Sequence, residues 1–148
     1  MTDTTARRLL WVILVLGLIG TETELILLNH VEDVRQWIPV ILLGAGFFAL
    51  LWHRLMPNSA SAQAVRSIMF GFLAGGLAGI YFHYQGSAEF KLESNPSLGG
   101  WDLFWAAVRA KAPPLLAPGE MLQLGLLGLL YIHINPGSIL GEQTGESK

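Results

Sequence analysis

The sequence has no cysteine, which excludes disulfides, thiolate metal sites, cysteine-ligated iron–sulfur clusters and covalent haem attachment. Charge is scarce as well: Asp, Glu, Lys and Arg make up 14% of the 148 residues, the net charge is −2, and no segment concentrates Lys or Arg. Phosphate binding needs such a concentration, so nucleic acid is not an expected partner. Catalytic motifs are missing too. Ser, Thr, His and Asp occur, but without a nucleophile elbow, a Gly-rich phosphate loop or an H-E-x-x-H helix, which leaves a membrane hydrolase unsupported. A chain of this length accommodates one domain.

Apolar residues are what the sequence has in plenty, 52% of the total, and they gather into four blocks. The expected fold class is all-α: an integral membrane four-helix transmembrane bundle, because a segment in lipid must satisfy its own backbone polar groups. Residues 1–136 form the single domain, with spans at about 9–29, 36–53, 64–85 and 118–135. The first block follows Arg7-Arg8. Gly20-Thr21-Glu22 is a poor cleavage site and apolar character resumes at Leu25, so the block reads as an uncleaved anchor. Trp37 and Trp52 flank the second block as interfacial indoles do. The fourth, preceded by Pro118, is short and stops at Asn135-Pro136-Gly137.

Residues 86–117 are expected outside the membrane. Within them Ala88-Glu89-Phe90-Lys91-Leu92-Glu93 alternates with period two, the pattern of a short strand. Trp101, Phe104, Trp105 and Val108 recur at helical spacing, which describes an amphipathic helix lying in the interface or an aromatic face packed on the helix ends. Pro113-Pro114 closes the segment, and residues 137–148 form a polar tail with too little apolar surface to order itself. Four spans put both termini on one side. Arg7, Arg8, Arg54, Arg66 and Lys148 fall there, against Arg35, Lys91, Arg109 and Lys111 opposite. Because the pair beside the first span usually dominates, the termini are expected in the cytoplasm, with a bacterial inner membrane as the setting.

Ionisable groups inside a span need a reason. Glu22 and Glu24 lie about 200° apart on their helix, so one partner cannot serve both. Gly17 and Gly20 share the Glu24 face and Gly71, Gly75 and Gly79 form a small-residue ridge, which marks these glycines as helix-packing positions. The next step of four along that ridge is His83. Glu24 is therefore expected to point inward and to meet His83, with Gln123, Tyr81 and Tyr84 completing a buried polar cluster. Glu120 belongs to the first turn of a helix, where the macrodipole stabilises its charge. His30, Glu32 and Asp33 in the first connection are a weak metal candidate, and no metal or cofactor is expected.

The four histidines fall in two pairs, His30 with His83 and His53 with His133, at opposite ends of the bundle. That placement resembles the bis-histidine ligation of small b-type membrane cytochromes and would imply haem b. His53 precedes Arg54, however, and His30 lies in a polar turn, positions that suit interfacial anchors better. The expected function is a non-enzymatic accessory or interaction subunit, partnered by the lipid bilayer and by other membrane proteins or a second copy of itself. The alternative is a small proton- or cation-handling transporter, or a redox carrier, using buried Glu and His.

Overall fold

A computed structural model describes residues 3–111 and 117–134, with only the backbone of Asp3. Among these residues there are five helices and no strand: α1 (Asp3–Leu27), α2 (Val34–Leu55), α3 (Ser59–Ser94), α4 (Gly100–Val108) and α5 (Gly119–His133). Three of them, α1, α2 and α3, are long and apolar enough to cross a membrane. α5 has 15 residues, which rise about 22 Å. Pro113-Pro114, Asn135-Pro136-Gly137 and the tail at 137–148 lie outside the described residues.

Local chemistry sets the turns. α1 ends in a Schellman arrangement: Asn29 adopts φ 52°, the His30 N–H donates to the Leu25 carbonyl at 2.8 Å, and the Asn29 N–H donates to Ile26 at 3.0 Å. Asp33 then caps α2 and Gln36 returns the bond to the cap backbone, a reciprocal capping box. Pro57 separates α2 from α3, which begins with a second box between Asn58 and Ser61.

α1, α2, α3 and α5 form a closed ring in which α1 touches α2 and α5, and α3 touches the same two. Their shared core is built from Leu14, Leu18, Leu43, Leu50, Val65, Met69, Phe72, Met121 and Leu124. Small residues bring α3 and α5 closest. A Cβ at Gly125 would lie 3.0 Å from the Met69 carbonyl oxygen, one at Gly128 would collide with the Met69 side chain, and one at Gly79 would lie 2.7 Å from Pro118 Cβ. The expected ridge thus meets two neighbours, Gly71 and Gly75 facing Leu42 of α2 and Gly79 facing the start of α5. On α1, Gly17 receives Leu124 of α5, whereas nothing lies within 4 Å of a Cβ at Gly20. Gly128, absent from the expected packing set, makes the tightest of these contacts, and Gly125, also absent from it, is the one that meets the Met69 backbone.

The outward faces carry apolar side chains, Leu9, Ile13 and Leu16 on α1 and Trp37, Ile41, Phe48 and Trp52 on α2, all more than 40% exposed. A surface of that kind suits hydrocarbon better than water.

The largest departure from expectation is α3. Its 36 residues rise about 54 Å, far more than a bilayer's hydrocarbon thickness. Helix continues beyond the expected third span and through the whole alternating stretch 88–93, so the short strand expected there is corrected. Ala, Glu, Lys and Leu are strong helix formers, and an isolated strand would have had no partner. Helix ends where Asn95, before Pro96, is driven to extended backbone at φ −148°. α4 folds back on this projecting arm: Ser87 and Ala107 are both 0% exposed, and the rings of Tyr84 and Phe104 are 5.9 Å apart. The helix expected from Trp101, Phe104, Trp105 and Val108 is present, but small Ala107 is its buried residue while Trp101 and Trp105 are exposed.

Candidate functional site

The ring has two ends. At the distal end lie the α1–α2 turn, the α3 arm, α4 and the start of α5; at the proximal end, the start of α1, the α2–α3 turn and the end of α5. The expected polar cluster belongs to the distal end, and none of its five members is fully buried. Glu24, Gln123 and Tyr81 are exposed. The Tyr81 hydroxyl accepts from Gln85 Nε2 of its own helix at 2.9 Å, and half-buried Tyr84 lies against Phe104 of α4. Half-buried His83 has His30 as its electrostatic neighbour.

Register explains why Glu24 fails to turn inward. Gly17 lies opposite Leu124, and the Thr21 hydroxyl donates to Glu120 Oε2 at 3.2 Å, so each step along α1 is one step back along α5. Glu24 then falls level with Ala117, before α5 begins at Gly119. The residue has the right angle on the wheel but no helix opposite it. Glu22 is the inward carboxylate. It extends the buried Leu14–Leu18 stripe by one turn, and its Oε2 is buried without a hydrogen-bond partner among the described residues. It lines a cleft of about 190 Å³ between α1 and α2, with Leu18 and Leu43 as a buried floor and Ile19 and Thr23 as an exposed rim.

A second polar cluster, at the proximal end, was not expected. His53 is 1% exposed and Ser61 0%. His53 Nδ1 lies 2.9 Å from Ser61 Oγ, and the rings of His53 and Tyr131 meet edge-on at 6.2 Å. Ser61 Oγ also reaches the carbonyls of Met56 at 3.1 Å and Asn58 at 3.0 Å, and accepts from the Asn58 N–H at 3.1 Å. A hydroxyl has one proton. With that proton directed to either carbonyl, the His53 Nδ1–H is the donor to Oγ. The Ser–His contact thus resembles part of a nucleophilic pair, yet Ser61 is enclosed and committed to the turn, so it fastens α2 to α3 and offers no attacking oxygen to a substrate. Leu43, Gly46, Leu50 and His53 are all buried on α2 at coiled-coil spacing, a signal for His53 that the sequence alone does contain.

The two histidine pairs differ. At the proximal end His53 is buried while His133 is exposed. At the distal end the His30 pKa is lowered, first by partial burial and second by the His83 charge. Glu32 accepts from Asn29 Nδ2 at 3.0 Å and Asp33 accepts from the Arg35 N–H at 3.1 Å, which commits both carboxylates to the turn. Among the described residues no three His, Asp or Glu side chains gather as a metal site would require. Comparison with protein-family models, characterised proteins and solved structures finds no match to this chain.

Proposed function

We propose that this is a four-span membrane protein, with α1, α2, α3 and α5 crossing the bilayer, and that it acts as a non-enzymatic accessory subunit by lateral association with another membrane protein. The carrying observation is Glu22, whose buried oxygen lacks a hydrogen-bond partner among the described residues and lies in a cleft with an exposed rim. A polar group left unpaired in hydrocarbon is costly, and a hydrogen-bond donor on a neighbouring transmembrane helix would relieve it. The cleft's apolar walls and Gly44 leave room for such a helix to approach.

The transporter reading has less support. Glu22 lies toward the distal end and His53 at the proximal end, and the core between them is Leu14, Leu18, Leu43, Leu50 and Phe72, which offers a proton no stepping stone among the described residues. A photo-crosslinking amino acid at Ile19, on the cleft rim, should give protein adducts in native membranes; one at Leu16, on the exposed face of α1, should not. Glu22→Leu should reduce the Ile19 adducts several-fold. Adducts to lipid alone at Ile19, or a yield indifferent to Glu22, would refute the subunit reading.

A further inference from the structure

The surface between α3 and α5 at the proximal end carries a second cleft, larger than that at Glu22. It measures about 400 Å³, with Ile132, 2% exposed, as its floor. Phe70, 57% exposed, and Leu130, 47% exposed, contribute to its walls. Two groups at one end are not apolar: Arg66 of α3 and His133 of α5, both exposed. The α3/α5 register, in which Met69 meets Gly128 and Gly79 meets Pro118, sets Arg66 level with Tyr131 and so close to the end of α5. Phe70 lies one turn further along α3 toward the centre of the ring. The cleft is therefore polarised along the helix axes, cation at the proximal surface and hydrocarbon walls inward.

Among the described residues no carboxylate pairs with the Arg66 guanidinium. A guanidinium at the mouth of an apolar trough, with no carboxylate on it among the described residues, is complementary to one kind of molecule, an anion attached to an alkyl chain. We propose that this cleft binds an anionic phospholipid, its phosphate on Arg66 with His133 beside it and one acyl chain along Phe70 and Leu130. Guanidinium and phosphate form paired, charge-assisted hydrogen bonds, and basic pockets between transmembrane helices are suited to anionic headgroups. A zwitterionic lipid presents the same phosphate but adds a cation that Arg66 repels.

The proposal rests on α3 and α5 lying in the bilayer. Purified full-length protein in mild detergent would be titrated with dioleoyl phosphatidylglycerol and, separately, dioleoyl phosphatidylcholine, with bound lipid counted by native mass spectrometry. The expected result is preferential retention of phosphatidylglycerol, weakened about tenfold in Arg66→Gln, as fits loss of a charged hydrogen bond. Arg54→Gln removes a cation from the same end outside the cleft and should leave retention unchanged, and Phe70→Ser should lower it with Arg66 intact. Equal retention of both lipids, or no response to Arg66→Gln in protein that remains folded by circular dichroism, would overturn the site alone. Retention of neither lipid would overturn the bilayer placement with it. Full competition by glycerol phosphate, which has no acyl chain, would show a soluble-phosphate site and also defeat the proposal.

Discussion

His30 shows how the α1–α2 turn responds to acid. Burial and the nearby His83 charge both lower its pKa below that of the unfolded chain. The unfolded state then takes up more protons, so stability is full above the unfolded value of about 6.5 and declines as pH falls through it. The thermal midpoint in detergent should drop between about pH 7.5 and about pH 5.5, and His30→Gln should shrink the drop. His83→Gln should shrink it less, because burial is the larger cause. A midpoint whose pH response is identical in both variants and the parent would refute this account. Glu22 and Glu24 mark the limit of inference at the same scale. Their opposed directions on the helix follow from spacing alone. Which one points inward depends on where α5 starts, and nothing local to α1 encodes that.

The contact between α3 and α5 rests on missing side chains. A Cβ at Gly125 would meet backbone, the Met69 carbonyl, at 3.0 Å, so the helix itself would have to move. Gly125→Leu should therefore destabilise the protein by about 1–3 kcal/mol, as overpacking of a tight core does. Gly20→Ala should be neutral or gain up to about 1 kcal/mol, since the added methyl meets nothing and alanine is the better helix former. Denaturant titration followed by circular dichroism would order the variants, and equal stability of the two would contradict the contact. The ridge at 71, 75 and 79 is visible as a sequence repeat, although the helices it faces are not. α3 also shows two periods competing. Alternation over 88–93 points to a strand, but helix propensity and the absence of a pairing partner prevail, and Phe90 is left 58% exposed.

Taken whole, the molecule is a ring of four helices with an arm projecting from its distal end. Four spans would return both ends of the ring to the proximal surface. Because the chain has no cysteine, single-cysteine variants report topology without background. Thr5→Cys and His133→Cys should react with an impermeant maleimide from the same membrane face, and Ser97→Cys from the opposite one. Labelling of His133→Cys together with Ser97→Cys would mean that α5, only 15 residues long, does not cross. The sequence by itself determined the all-helical class and the apolar segments, three of which form helices long enough to cross a membrane. Those properties depend on composition and on neighbours a few residues away. Only the tertiary structure decided which faces of α1 and α5 turn inward, bringing Glu22 and Gly125 to their places while leaving Glu24, Gln123 and Gly20 outside. The physical reason is the solvent these outward faces suit. A helix surrounded by water declares its buried side through hydrophobic contrast, but one surrounded by hydrocarbon carries apolar residues all round, and its orientation is set by the shape and polarity of its neighbours.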